Sequence, residues 1–256
     1  MNSLNLAKKI RIDVVNMVNK SGASHIGPIL SIVDIIAVLY GKIMRYDIKN
    51  PKLETRDRFI LSKGHGGAAV YASLAEVGFF DKSELLDYAQ DGSKYGGHVS
   101  HEDIPGVEFS TGSLGHGLPI TTGMALASKI NQTEHRFFVL MSDGECDEGS
   151  NWEAIMFAAG NKVDNLIATV DYNKKQIDGS VDDVLPMGDI AEKFRAFGWE
   201  VLEEKDGNNL EEVEETLFAN WDGPYPEINY QGWTLTFGIR IINSIKIDSQ
   251  SFSFGD

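Results

Sequence analysis

The sequence predicts an α/β fold, with a mostly parallel central sheet and helices on both faces. Short apolar runs at residues 58–62, 137–141 and 166–170 have the length and composition of buried parallel strands. A glycine-rich or polar turn follows each run, and stretches with helical spacing lie between them, as in a β-α-β chain. Ligands bind at the carboxyl edge of such a sheet, so the turns after these strands are candidate site segments.

The composition favours a globular protein. The 256 residues are enough to bury a sizeable core, and 42% of them are apolar. We find no run of eighteen apolar residues that predicts a membrane span, and residues 1–10 lack the features of a signal peptide. The net charge of −15 argues against non-specific nucleic-acid binding. A single cysteine, Cys146, rules out an intramolecular disulfide, so we expect a cytoplasmic protein with no nucleic-acid or membrane partner.

The first element is an amphipathic helix over residues 5–20. A loop with glycine and proline, residues 23–28, separates it from a second helix that begins near Ser31. The loop carries His25, which either lies exposed in a helix-capping loop or belongs to a functional site. The apolar residues at helical spacing in the first helix are Leu6, Ile10, Val14, Val15 and Val18.

The strand at 58–62 leads into a glycine-rich turn, residues 63–67, and then into a helix. Such a turn presents free backbone N–H groups at a helix N-terminus, which is a natural anion site. A glycine cluster alone is weak evidence. Lys63 and His65 lie within this one, and they favour contact with a phosphate.

The loop at 95–101 contains two histidines, His98 and His101. A zinc pair is the obvious alternative interpretation. No third ligand of suitable type and spacing follows, so the sequence disfavours zinc.

A second glycine-rich loop, residues 107–117, precedes a helix over 120–130. Its glycines form a flexible platform in front of that helix. His116 lies among them and could act on the substrate side or be a tolerated neighbour. The glycines are Gly112, Gly115 and Gly117.

The most informative stretch is residues 141–149. Asp143 and Gly144 begin the turn after one strand, and Asp171 and Asn173 lie at the end of the next. In a parallel sheet both turns share the carboxyl edge. A carboxylate and an amide oxygen there suit a hard cation, and Mg²⁺ completes its shell with water and phosphate oxygens. Glycine at position 144 lets the backbone approach a diphosphate closely.

Three nearby side chains have competing interpretations. Cys146 lies beside the proposed site, but the sequence places no base for a catalytic thiol. Glu148 either complements the positive end of the following helix or has a functional role. Ile177 is either a core residue or a ligand contact.

The chain continues with a helix over 189–198, a strand at 199–202 and an acidic helix over 210–217, whose face we expect to be solvated. Composition and pattern then change together. We divide the chain into a site-bearing domain, residues 1–217, and a tail, residues 218–256. The tail is either a divergent native end or an out-of-frame or truncated one. The second interpretation is slightly favoured and predicts the loss of one sheet strand.

An Asp-Gly turn after one strand, with an Asn thirty residues later after the next, resembles the thiamine diphosphate motif. Its flanks look like transketolase over about residues 5–217. The resemblance implies the thiamine diphosphate-binding fold, with thiamine diphosphate and Mg²⁺ or Ca²⁺ as cofactors. The implied metal ligands are Asp143, Asn173 and the backbone carbonyl of Lys175, which is an acceptable ligand whatever its side chain.

The resemblance also implies roles for the other motifs. The implied catalytic residues, which line the substrate funnel, are His25, His98 and His116, the last in place of the family's usual glutamine. His65 matches the family histidine that hydrogen-bonds the diphosphate. Glu148 matches a glutamate at the family's dimer interface, and Ile177 would pack on or near the aminopyrimidine ring. The implied cofactor contacts are His65, Gly112, Leu114, Gly144, Glu148 and Ile177.

We therefore expect the N-terminal subunit of a split transketolase, which transfers a two-carbon ketol unit from a ketose or its phosphate to an aldose or its phosphate. Full-length transketolases continue with a pyrimidine-binding domain, and no stretch of this sequence resembles it. We expect the partner to be a C-terminal transketolase subunit, within a homo- or hetero-oligomer.

Three alternatives stay open. One is a non-catalytic or truncated binding subunit. Another is half of a different thiamine diphosphate enzyme, of the oxo-acid dehydrogenase α or deoxyxylulose phosphate synthase type. A generic nucleotide-binding domain is disfavoured, because neither Gly-x-Gly-x-x-Gly after the first strand nor a Gly-Lys-Ser/Thr loop is present.

Overall fold

The computed structural model describes residues 2–204, 206–218 and 238–242. Its central feature is a five-stranded sheet in which every pairing is parallel, with the strand order β1-β2-β3-β7-β6. The strands are β1 (Arg58–Leu61), β2 (Phe137–Ser142), β3 (Leu166–Asp171), β6 (Glu200–Glu204) and β7 (Gly238–Ile242). The parallel sheet predicted from the sequence is confirmed.

Helices occupy most of the remaining described chain. Short 3₁₀ segments at Gly64–Gly66, Lys82–Asp87 and Gly144–Asp147 and a π-helical turn at Leu39–Ile43 supplement them. The α-helices are α1 (Ser3–Ser21), α2 (Ile26–Leu30), α3 (Val33–Val38), α4 (Gly67–Val77), α5 (Gly117–Ile130), α6 (Gly149–Gly160), α7 (Val181–Val184), α8 (Ile190–Ala196) and α9 (Leu210–Phe218).

The two faces of the sheet are covered by different helices, because side chains alternate along each strand. On one face Phe138 and Leu140 of β2 pack into a cluster formed by α1, α3, α4 and α9. On the other face Val139 and Met141 pack against α5, α6 and α8. The predicted placement of helices on both faces is confirmed. The expectation that the acidic helix α9 presents a solvated face is incomplete, because α9 also buries Val213 in the first cluster.

One segment, Ile26–Ile43, is long and apolar enough to cross a membrane by composition alone. This segment differs from the sequence-based expectation, which included no stretch long and apolar enough to span a membrane. Most of the segment is buried inside the fold, where α3 packs against α1, α4 and α9. The segment, which comprises α2, α3 and the π-helical turn, therefore belongs to the interior of the domain.

The strand β7 lies beyond the predicted boundary at residue 217. It pairs with β3 on one side and with β6 on the other. The predicted loss of a sheet strand is therefore wrong, because residues 238–242 fill an interior position of the sheet. The boundary itself stays a prediction, and the rest of the tail lies outside the described residues.

A small hairpin at the carboxyl edge is missing from the sequence-based prediction. Strand β4 (Lys175–Gln176) pairs antiparallel with β5 (Gly179–Ser180). Ser180 then caps α7 by accepting a hydrogen bond from the Asp183 N–H. The hairpin projects from the end of β3, next to the candidate site.

Candidate functional site

The candidate site lies at the carboxyl edge of the sheet, where β2 and β3 end side by side. Ser142 and Asp171 are register partners, and the Asp143 N–H donates to the Asp171 carbonyl at 3.3 Å. The two turns that the sequence places at one edge therefore meet, as predicted.

The Asp143 carboxylate is buried at this junction. One of its oxygens accepts the Gly144 N–H at 2.9 Å, and the other accepts the Lys174 N–H. The pKa of the Asp143 carboxyl is raised to about 6, chiefly by burial and in smaller part by the Asp171 carboxylate, against the lowering effects of the Lys174 and Gly144 N–H groups and of Lys63. A buried anion of this kind is stabilised by a cation.

Asn173 and Lys175 are held close together in the turn after β3. The Asn173 Oδ1 atom accepts the Lys175 N–H at 2.9 Å, and Lys174 between them adopts a left-handed conformation with φ of 59°. Together with Asp143 they offer a carboxylate, an amide oxygen and a carbonyl. This all-oxygen donor set fits Mg²⁺ or Ca²⁺. Within the described chain no three His, Cys, Asp or Glu side chains converge to hold a metal, so water and phosphate oxygens would complete the shell.

The Asp171 carboxylate joins three segments of the site. It accepts hydrogen bonds from Ser31 Oγ and from Lys63 Nζ, both at 2.6 Å. Ser31 follows the helix that begins after His25, and Lys63 lies two residues before His65. This junction is absent from the sequence-based prediction. It also corrects the predicted phosphate contact of Lys63, because its ammonium lies in a fully buried ion pair with Asp171.

Three histidines converge beside this junction. The ring centroid of His25 lies 5.4 Å from that of His65 and 5.6 Å from that of His98. His25 has a φ of 73°, a left-handed conformation, and it makes no side-chain hydrogen bond that caps α2. The interpretation of His25 as an isolated exposed capping residue is therefore wrong. We refer to His25, His65 and His98 as the histidine cluster.

Two imidazoles of the histidine cluster, those of His65 and His25, favour the neutral form. Burial lowers the pKa of His65 to about 3, with smaller contributions from Lys63, His25 and His98. Burial also lowers the pKa of His25, and His98 adds to that effect. A neutral imidazole has one donor and one acceptor nitrogen, so these side chains can bind hydroxyl groups and phosphate oxygens.

The other histidines of the region lie elsewhere. His101 stacks on Phe109 and pairs with Ser110 Oγ at 2.6 Å, so it does not join His98 as the zinc alternative requires. His116 is exposed at the start of α5, and its Nδ1 atom lies 2.9 Å from the Leu114 carbonyl. Among the described residues no ring contact joins His116 to the histidine cluster. Its predicted catalytic role stays a prediction.

The glycine-rich loop 112–117 fits closely around the site. A Cβ atom added at Gly112 would contact the His98 ring at 3.6 Å, which places this glycine beside the histidine cluster. Gly115 has a φ of +80°, and a Cβ atom there would lie 2.5 Å from the Glu148 Cβ. The loop therefore tolerates no larger residue at 115, where it lies directly against the Glu148 side chain. Leu114 between these glycines is partly exposed, as a ligand contact requires.

A buried glutamate that sequence reasoning missed anchors this loop. Glu145 accepts hydrogen bonds from Ser62 Oγ and, at 2.9 Å, from the Gly115 N–H, so it links the end of β1 to the glycine loop. Burial raises the pKa of its carboxyl. An acidic residue four positions before a helix start is the only sequence signal, and it does not distinguish Glu145 from its acidic neighbours.

Three remaining sequence candidates are also placed. Cys146 is fully buried and its thiol pKa is raised well above the ordinary value by burial, so the catalytic-thiol alternative is wrong. Glu148 is exposed and makes no side-chain hydrogen bond that caps α6. Ile177 is 93% exposed at the tip of the hairpin, so the interpretation as a core residue is wrong. The cofactor roles of Glu148 and Ile177 stay predictions.

Comparison with known proteins places these features in a family. A family model described as the transketolase thiamine diphosphate binding domain matches residues 3–223. The 6-deoxy-6-sulfo-D-fructose transketolase subunit SqwG of Clostridium sp. is 43% identical over 208 residues, which are 81% of this chain and 75% of that protein. An apulose-4-phosphate transketolase subunit of Actinobacillus succinogenes is 40% identical, over 92% of this chain and 86% of its own.

The solved structures agree. The transketolase from Leishmania mexicana superposes with a TM-score of 0.85 at 28% identity, over 95% of this chain. The chain covers 37% of that protein, so it spans little more than a third of a full-length transketolase.

Proposed function

This chain belongs to the transketolase family, whose thiamine diphosphate-binding domain it matches, and from that premise we propose that it is one subunit of a two-chain transketolase. The observation that carries the proposal is the meeting of two groups at one sheet edge. The all-oxygen donor set adjoins Asp171, whose carbonyl accepts the Asp143 N–H, and the histidine cluster adjoins the Lys63–Asp171 pair, which acts electrostatically on His65. Such an edge suits a ligand that has both a diphosphate and a reacting carbon.

In this proposal Asp143, Asn173 and the Lys175 carbonyl would hold Mg²⁺, which would offset the negative charge of a diphosphate. His65 donates a hydrogen bond to the same diphosphate. Bound thiamine diphosphate would supply a nucleophilic carbon for the reaction.

The substrate side belongs to the other two histidines. His25 and His98 hydrogen-bond sugar hydroxyls and exchange protons with them, a task that suits imidazole. His116, exposed at the start of α5, is a third candidate for contact with the substrate. Gly112 and Leu114 give the cofactor a close backbone and apolar contact.

The partner is inferred from the relatives. The two relatives that this chain covers over three quarters or more of their length are named as transketolase subunits. We infer that this chain likewise works with a second chain that supplies the pyrimidine-binding half, and that Glu148 and Ile177 face the shared cofactor. A cytoplasmic location and a role in carbohydrate metabolism belong to the same proposal.

A proposal for the substrates is supported by the names of the same relatives, a 6-deoxy-6-sulfo-D-fructose transketolase subunit and an apulose-4-phosphate transketolase subunit. Each compound is a ketose with an anionic group. We propose a ketose of that class as the donor and an aldose phosphate as the acceptor.

The test begins with affinity purification of the chain from its source cells and mass spectrometry of the proteins that accompany it. A second chain in equal amount that gives ketol transfer from an anionic ketose, dependent on thiamine diphosphate and Mg²⁺, supports the proposal. An assembled complex that binds the cofactor without transfer indicates a binding subunit. Turnover of an oxo acid instead of a ketose would identify a different thiamine diphosphate enzyme.

A further inference from the structure

The side chain of Gln176 lies across the turn that begins at Asp143. A Cβ atom added at Gly144 would lie 2.7 Å from the Gln176 Cγ and 2.8 Å from its Cδ. Glycine at 144 therefore leaves the space that the Gln176 side chain occupies. The Gln176 Nε2 atom then donates to Asp147 Oδ2 at 2.8 Å. One side chain therefore bridges the hairpin after β3 and the turn after β2.

The Asp147 carboxylate depends on this contact. Its Oδ1 atom is buried and has no hydrogen-bond partner. In the described structure the Gln176 amide is the one donor that the Asp147 side chain has. A hydrogen bond to a charged, partly buried acceptor is stronger than an average one, and its loss leaves the carboxylate without compensation.

The hairpin has few other contacts that fix its position. Its two strands are two residues long each, and the apolar residue at its tip, Ile177, is 93% exposed. Two hydrogen bonds hold its base: the Lys174 N–H donates to the Asp143 carboxylate, and the Val181 N–H donates to the Lys174 carbonyl. A short segment with little buried apolar surface is easily opened, so one further bond changes its population strongly.

We propose that Gln176 is a positioning residue, which latches the hairpin to the Asp143–Asp147 turn and so sets the Lys175 carbonyl in its metal-binding place before the cofactor arrives. Lys175 directly precedes Gln176, so the latch acts one residue away from the proposed ligand. This inference rests on the proposed function for the identity of the ligand. The latch itself concerns only contacts within this chain.

The sharpest test exchanges the chemistry of the two partners. Gln176→Glu puts two carboxylates together and breaks the latch, because neither can donate to the other when ionised. Adding Asp147→Asn restores a donor on the opposite side of the same bond. A matched control, Gln132→Glu, makes the same change at an exposed residue after α5.

Two readouts separate the latch from general stability, the first on the full chain and the second on the full chain assembled with its partner. The first is amide hydrogen exchange of residues 172–181 without ligand. We expect about ten-fold faster exchange in Gln176→Glu, a return to the parent rate in the double variant, and no change in the sheet or in the control. The second is the Mg²⁺ dissociation constant at saturating thiamine diphosphate, which we expect to weaken about ten-fold and recover in the double variant.

The outcomes are distinguishable. Equal hairpin exchange in the parent and in Gln176→Glu overturns the latch, whether or not the chain binds the cofactor. Faster exchange with an unchanged Mg²⁺ constant overturns its role in positioning the carbonyl. An assembled complex of the parent chain and its partner that binds neither Mg²⁺ nor thiamine diphosphate contradicts the proposed function, and the exchange result then decides the latch alone.

Discussion

The Lys63 ammonium and the Asp171 carboxylate lie 2.6 Å apart, and neither side chain is exposed to solvent. Ser31 Oγ completes the junction at 2.6 Å from the same carboxylate oxygen. The pair joins segments 108 residues apart in the chain, and each segment leads directly into a site residue. The positions of His65 and Asn173 are therefore coupled through this buried ion pair.

Removing one member of this pair is expected to destabilise the fold strongly. Lys63→Met leaves the Asp171 carboxylate buried without its cation, and the expected loss is about 3–5 kcal/mol in the free energy of unfolding. The double variant Lys63→Met with Asp171→Leu should regain most of that loss, because no unpaired charge remains. Chemical denaturation of the three proteins measures it. Lys49→Met, at an exposed lysine, is the control. Equal stabilities for Lys63→Met and Lys49→Met would show that the pair is not closed in solution.

The metal proposal predicts that a neutral residue at position 143 changes stability little without ligand and abolishes the stabilisation that the ligand gives. Because burial raises the pKa of Asp143, the neutral variant Asp143→Asn should lie within about 1 kcal/mol of the parent in unfolding free energy when no cation is added. With Mg²⁺ and thiamine diphosphate at 100 times the dissociation constant, the parent should gain about 2.7 kcal/mol and the variant nothing.

Thermal shift assays with and without the ligands measure this difference. Asn173→Ala should lose the same gain, whereas Asp91→Asn at an exposed carboxylate should keep it. A full ligand-dependent gain in both Asp143→Asn and Asn173→Ala contradicts the assigned metal ligands.

The histidine cluster predicts a dependence of stability on pH. The His65 pKa falls from an ordinary 6.5 to about 3 in the folded protein, with Lys63, His25, His98 and Asp171 around the ring. Between pH 6.5 and 3 the unfolded chain therefore holds a proton there that the folded chain does not. Stability should fall as the pH falls through this window, by at most about 1.4 kcal/mol per pH unit from this group.

A substitution isolates that contribution from other titrating groups. Asp143 acts in the opposite direction, because its pKa is raised. In His65→Gln the slope of unfolding free energy against pH should be shallower than in the parent between pH 4 and 6.5, while His101→Gln, at an exposed histidine, should keep the parent slope. Urea denaturation at a series of pH values measures both. Parallel curves for His65→Gln and the parent would rule out a depressed His65 pKa.

Two glycines in α5 provide a matched pair. A Cβ atom at Gly117 would lie 2.3 Å from Ser62 Oγ and 2.6 Å from the Ser62 Cα, so Gly117→Ala must displace the end of β1. We expect a loss of about 1–3 kcal/mol in stability, together with weaker cofactor binding. Gly123, in the same helix, has open space around it, and Gly123→Ala should stabilise the protein by about 0.5–1 kcal/mol. The same sign for both would contradict the close packing of α5 on β1.

The sequence predicts the strands and the edge at which they end, because apolar runs and glycine turns are local signals. It places Asp143 and Asn173 together, because parallel strands bring consecutive carboxyl ends to one edge. It does not reveal the contact of Lys63 with Asp171, since nothing local in either segment distinguishes a lysine that pairs inside from one that reaches a phosphate. The hairpin that carries Gln176 is also missed, because two-residue strands leave no periodicity to detect.

Among the described strands, the last in chain order, β7, occupies an interior position of the sheet, between β3 and β6. During synthesis at the ribosome β3 and β6 emerge well before residues 238–242, so each keeps an open edge until the final strand inserts. The pairings that close the sheet are also among those made last, and they bring distant parts of the chain together. Nascent chains of this protein are therefore expected to pass through a state with two unpaired strand edges, which is the stage at which misassembly is most favoured.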